Sequence, residues 1–86
     1  MIRDNEVFQF IRKWRKQTLE EVADYLGVSV GQVSLMERGR VAITGSHRDK
    51  LLEFFGIDDE RLNALRVIIY NLELYLNGER TAARGR

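Results

Sequence analysis

The stretch that decides the fold is T-L-E-E-V-A-D-Y-L-G-V-S-V-G-Q-V-S-L-M-E-R-G, Thr18 to Gly39. It opens on a capping box, in which the Thr18 hydroxyl and the Glu21 carboxylate satisfy each other's orphan backbone donors. Leu19, Val22, Ala23 and Leu26 then recur at helical spacing and predict one buried face. Gly27 is the stop, because a residue that ends a helix with positive φ is least strained as glycine. Only Val28 separates it from Ser29, a good N-cap, so a further short helix is predicted over about Val30 to Arg38, ended by Gly39.

Working outward, the segment before Thr18 predicts a helix that begins after Asp4 or Asn5 and runs to about Lys16. Its apolar residues Val7, Phe8, Phe10, Ile11 and Trp14 cover a wide arc rather than a narrow seam. Beyond Gly39, V-A-I-T-G-S reads as a loop. A fourth helix is expected from near Ser46, carrying Leu51, Leu52, Phe54 and Phe55 to a stop at Gly56. Asp58 or Asp59 caps a fifth and longest helix, reaching about Asn77. The remainder, G-E-R-T-A-A-R-G-R over 78–86, has no apolar face to bury and reads as a mobile, slightly basic tail. Proline is absent and β-branched residues do not alternate with polar ones, so the class is all-α, a compact five-helix bundle.

With 86 residues the chain makes one domain, and a chain of that size withdraws only about three-fifths of its extended surface from water. Its core is thin, and a leftover apolar stripe needs a partner. There is no cysteine, so neither disulfides nor thiolate metal sites contribute, which fits a reducing compartment. No apolar run reaches membrane-spanning length, and M-I-R-D-N-E lacks the apolar core of a secretory signal. The reading is a soluble cytoplasmic protein. Net charge is only +1, but it is uneven: residues 1–50 carry nine Lys/Arg against seven Asp/Glu, and 51–86 carry five against six. A modest basic face fits these numbers and a strong polyelectrolyte binder does not.

Two short helices across one tight turn, with a small residue on the first, a glycine in the turn and aliphatics inside the second, describe a helix-turn-helix. Ala23 is small where the second helix crosses it, and Val33 and Met36 fill the wedge. Together with its flanks, from F-Q-F-I-R-K-W-R-K through to L-L-E-F-F-G-I, the stretch resembles the XRE family of Cro and phage-repressor-like DNA-binding domains over about Val7 to Ile57. The resemblance implies a lambda-repressor-like bundle, usually dimeric, whose third helix enters the major groove. It also implies that Arg12 and Glu37 pair internally, as a structural salt bridge rather than as catalytic or DNA-binding groups.

By the same resemblance Val30, Gly31 and Leu35 stand where family members touch base edges, with Gln32 and Ser34 beside them. This departs from the commoner pattern, because valine, glycine and leucine offer no bidentate hydrogen bond to guanine or adenine. Apolar contact with thymine methyls, close approach at Gly31, DNA shape and dimer spacing remain. Phosphate contacts are expected from the helix starts at Thr18 and Ser29, and from Arg38, Arg40 and Arg48, with Lys50 as a further candidate. The competing reading of Arg40, Arg48 and Lys50 is ordinary solvated charge. Leu19 replaces a frequent glutamine, which removes one side-chain phosphate contact.

In the fifth helix Leu62, Leu65, Ile69, Leu72 and Leu76 alternate steps of three and four, extended sideways by Ile68 and Tyr75. Val67, Tyr70 and Leu74 lie opposite. One face is expected to cover the domain's own core, including the Val7, Phe10 and Trp14 stripe. The other is expected to meet a second copy, with Val67, Tyr70, Leu72, Leu74 and Leu76 as the dimer contacts. The expected organisation is a DNA-binding unit over 1–57, a C-terminal helix over 58–77 that completes the core and extends for dimerisation, and the tail.

An enzyme is hard to assemble from this inventory. The one histidine, His47, has no cysteine or second imidazole as partner, and Asp58, Asp59 and Glu60 read as a helix start rather than a metal cluster. No cofactor or metal is expected. The expected partners are double-stranded DNA, a second copy of the chain and, in some systems, an antirepressor or toxin protein. The competing reading is a protein-interaction module or antitoxin that uses the same fold.

Overall fold

The structure, a computed structural model, describes residues 2–78. It contains α1 (Asp4–Trp14), α2 (Leu19–Leu26), α3 (Val30–Glu37), α4 (Gly45–Phe55) and α5 (Asp59–Glu73), the last continued by a wider, π-type turn over Leu74–Gly78. No strand occurs among the described residues, and the all-α, five-helix class is what the sequence pattern predicts. The predicted tail, from Glu79 on, lies outside the described residues, while Gly78 closes the last turn of helix.

Each helix start is local chemistry. The Thr18 hydroxyl accepts from the Glu21 amide at 3.0 Å while the Glu21 carboxylate accepts from the Thr18 amide at 2.7 Å. Ser29, Thr44 and Asp58 accept in the same way from the amides of Gln32, His47 and Arg61. Between α2 and α3 the chain turns through Gly27 at φ 75°, where its amide and that of Val28 both reach the Ala23 carbonyl. That left-handed residue lets the two helices meet across three residues.

The core draws on every helix: Val7, Phe8 and Ile11 from α1, Val22, Ala23 and Leu26 from α2, Val33 and Met36 from α3, Leu51, Leu52 and Phe55 from α4, and Leu62 and Ile69 from α5. The Phe8 and Phe55 rings stack at its centre, 6.0 Å apart. The helix pairs α2–α3, α2–α4, α1–α3 and α1–α5 make the principal contacts. α5 therefore lies on the α1 side of the bundle, away from the outward face of α3.

Three boundaries differ from expectation for physical reasons. α1 begins at Asp4 with Arg3 as its N-cap residue, and the Glu6 carboxylate accepts from the Arg3 amide at 2.9 Å. Asp4 and Asn5 are not caps because their side chains are engaged elsewhere. α1 stops at Trp14 and not near Lys16, since Lys16 adopts a left-handed backbone, φ 58°, with no glycine to mark it. α4 starts at Gly45, one residue before Ser46, because Thr44 supplies the cap.

Ion pairs join the ends of the bundle. Asp4 receives the Arg48 Nε at 2.8 Å and a guanidinium nitrogen of Arg66, and Arg48 reaches on to Asp59 at 2.6 Å. Arg66 also donates to the Ile2 carbonyl at 2.9 Å. Burial pushes the Asp4 carboxyl up, but the hydrogen bonds and charge of Arg48 and Arg66 outweigh it, leaving it below the ordinary aspartate value. One sequence position thus clips α1 to α4 and α5.

Candidate nucleic-acid interface

α3 is mounted from behind and open in front. Val33 and Met36 face the core, and the C-terminal end is tied to α1 through Glu37. Arg12 donates to both Glu37 carboxylate oxygens, at 2.6 and 3.0 Å, and its third nitrogen donates to the Gln17 carbonyl at 2.9 Å. Gln9 donates to the same carboxylate at 3.4 Å, and Asn5 to the Glu37 carbonyl at 2.9 Å. The two ionic side chains are only 11% and 10% exposed, so the pair is screened from water and geometrically specific. The fork joins two helices at the place where their orientation sets the tilt of α3.

The outward positions are arranged as follows. Val30 is 39% and Leu35 37% exposed, Gly31 and Gln32 are exposed and Ser34 is half-buried. These five share the solvent side of the helix. Val30 and Leu35 are apolar groups that keep more than a third of their surface in water, and no acidic residue lies in the first turn. The orphan amides and dipole at the start of α3 are therefore unopposed by a like-placed anion. At α2 the same is not true: Glu20 and Glu21 occupy its first turn, and the Glu21 carboxylate closes on the Thr18 amide.

Ser29 and Thr18 are both exposed, and each hydroxyl accepts a backbone amide while keeping its own proton to donate. Arg38 caps α3 and bonds back to the Ser34 carbonyl at 3.4 Å. Arg40 is exposed, and its side chain meets no hydrogen-bond or ion-pair partner among the described residues. Arg48 stands apart: with its guanidinium held between Asp4 and Asp59 it is a clip in the bundle, and solvated or phosphate-facing charge is not how the structure places it. Sequence reading missed the roles of Asn5 and Gln9 behind Glu37, because their partner lies about thirty residues away and no local signal marks it.

The far side of the molecule holds a second unusual surface. Trp14, at the end of the wide arc of α1, is not covered by α5 but is 77% exposed, stacked on Phe10 at 6.3 Å. With Ile57, Leu65, Ile68 and Leu72 the two rings line an open groove of about 500 Å³. α5 buries Leu62 and Ile69 while Leu72 and Leu76 stand exposed, as do Val67, Tyr70 and Leu74 on its other side.

A capped helix pair at a tight glycine turn, the second helix presented outward and locked by a fork to the first helix of the bundle, defines a helix-turn-helix domain. The helix-turn-helix family model matches residues 9–62, more than half of the chain. The chain belongs to that family, of the XRE type, and is a DNA-binding regulator of transcription. No curated protein and no solved structure matches it. Among the described residues no helix is long and apolar enough to cross a membrane.

Proposed function

We propose that the protein is a repressor that binds a palindromic operator as a homodimer, inserting α3 into the major groove of each half-site. The observation that carries this reading is the open front of α3, with Val30, Gly31, Gln32, Ser34 and Leu35 facing solvent and no helix of the bundle laid over them. Ser29, Thr18, Arg38 and Arg40 border that front and hold phosphates. Arg48 is left out of this set because its charge is satisfied inside the bundle. Two copies meet through α5, whose exposed Val67, Tyr70, Leu72, Leu74 and Leu76 otherwise cost hydration. A two-fold dimer would place paired α3 helices about one DNA turn apart.

The test is a gel-shift and salt titration against the DNA upstream of the protein's own gene, with Arg38→Ala/Arg40→Ala alongside. Each phosphate contact contributes about 0.9 to the log–log salt slope, so the double variant should lose about 1.8 from it. Equal affinity and slope for the two proteins would remove Arg38 and Arg40 from the interface. A second reading, a module that docks an antirepressor or toxin protein, is supported by the apolar groove at Phe10 and Trp14. Binding of that kind is insensitive to salt, and the same titration separates the two.

A further inference from the structure

Gly31 lies in the first turn of an eight-residue helix, where glycine costs helix stability and has no compensating local role. Its backbone is not in the left-handed region, which among the described glycines is occupied by Gly27, Gly39 and Gly56. Packing does not demand it either. A Cβ built on Gly31 meets one atom within 4 Å, the Ser29 Oγ at 3.9 Å, an ordinary contact. The bundle therefore has room for a Cβ at this position, and neither backbone conformation nor internal packing requires glycine there.

The surroundings indicate what a bare Cα serves there. On a helix, position 31 neighbours 34 and 35, three and four residues on, and abuts 30. The missing side chain thus leaves a notch in the outward face with bare backbone as its floor, flanked on that face by Ser34 and the apolar, partly exposed Leu35, and with apolar Val30 preceding it in the chain. We infer that this notch receives the C5-methyl group of a pyrimidine in the major groove, and that in the operator the pyrimidine is thymine. The inference rests on the DNA-binding reading above and adds the chemistry by which α3 reads a base. Of the base-edge features in the major groove the methyl alone is apolar, and it matches walls that offer no hydrogen bond. A Cβ at residue 31 would occupy the volume that the methyl needs.

The experiment starts from duplexes that the wild-type protein enriches out of a random library. In the best of them each thymine is replaced in turn by deoxyuridine, which removes only the methyl, and each cytosine by 5-methylcytosine. Binding is measured for wild type and Gly31→Ala, together with thermal unfolding of both. Burying one methyl corresponds to about fourfold in affinity. The expected result is a fourfold loss on deoxyuridine at one thymine in each half-site for wild type. Gly31→Ala binds the original duplex about tenfold or more weakly, shows no deoxyuridine penalty there, and melts about 2–6 °C higher than wild type. The notch is overturned if no deoxyuridine weakens a duplex that wild type binds, if Gly31→Ala binds equally well, or if it melts lower, which would reveal an internal role. A gain confined to 5-methylcytosine overturns the thymine assignment. Failure to enrich any duplex overturns the DNA-binding reading itself, a result distinguishable from all of these.

Discussion

Removal of the Glu37 carboxylate is the most searching perturbation of the bundle. In Glu37→Ala the Arg12 guanidinium loses contacts at 2.6 and 3.0 Å and keeps the Gln17 carbonyl at 2.9 Å. Stripping one member of a buried pair costs about 3–5 kcal/mol, mostly through the charge left behind. Because Arg12 retains one acceptor and is 11% exposed, the low end applies, about 3 kcal/mol. A domain of this size has a total stability on the order of 4–13 kcal/mol, so the variant sits close to its folding threshold. Its melting temperature should fall by about 12–24 °C. The assay is urea unfolding followed by far-ultraviolet circular dichroism on Glu37→Ala, Arg12→Ala, the double alanine variant and Arg12→Met/Glu37→Leu. The double alanine variant should be much less destabilised than the two single losses added together, since each single change strands the other group. The Met/Leu pair should recover most of the loss. A Glu37→Ala loss below about 1 kcal/mol, or strict additivity in the cycle, would refute the reasoning that Arg12 and Glu37 act as one buried unit.

Three further outcomes are expected. Asp4 has a lowered pKa in the folded state, so the advantage of wild type over Asp4→Asn is complete above the ordinary aspartate value and is lost as pH falls through the depressed one. Urea midpoints from pH 7 down to pH 2 should converge only in strong acid, and an advantage that grows on acidification would contradict the Arg48–Asp4–Arg66 clip. Lys16→Gly relieves a left-handed non-glycine residue and should stabilise the fold by about 0.5–1 kcal/mol after the entropy cost of glycine; destabilisation would show that the Lys16 side chain holds something in place. Leu72→Glu/Leu76→Glu alters two exposed side chains, so sedimentation should show monomers with an unchanged melting profile at low concentration. A dimer that survives both charges would move the interface off the end of α5.

Local signals were the legible part of this fold. Thr18 with Glu21, Ser29, Gly27 and Gly56 complete their chemistry within about four residues, so they can be read without knowing where the rest of the chain goes. Asp4 resembles them in type yet does something else, because its partners lie 44 and 62 residues away and no local rule reaches that far. The partners of Arg48 were hidden for the same reason. Its sequence neighbours suggest a basic edge, and only the approach of α1 and α5 shows the charge to be internal. Trp14 falls on the apolar arc of α1, but periodicity says which side a residue faces and not how wide the covering helix is. α5 is one helix broad, and the arc extends beyond it.

The same division explains how α3 combines a weak helix with a defined position. V-G-Q-V-S-L-M-E holds two valines, a glycine and a serine in eight residues, and a segment that short and that poor in helix formers does not persist alone in water. Its order comes from the inner side, from Val33 and Met36 in the core and Glu37 in the Arg12 fork, with Ser29 closing the first turn. Those four positions carry most of the structural requirement. Val30, Gly31, Gln32, Ser34 and Leu35 carry less of it, which is why an apolar group or a bare Cα can face water there. Substitutions on the outer set should therefore change DNA affinity at nearly constant stability, and substitutions on the inner set should lower both together. A survey of α3 variants in which the two properties fell in step at Val30 or Leu35 would mean that the outer face also supports the fold.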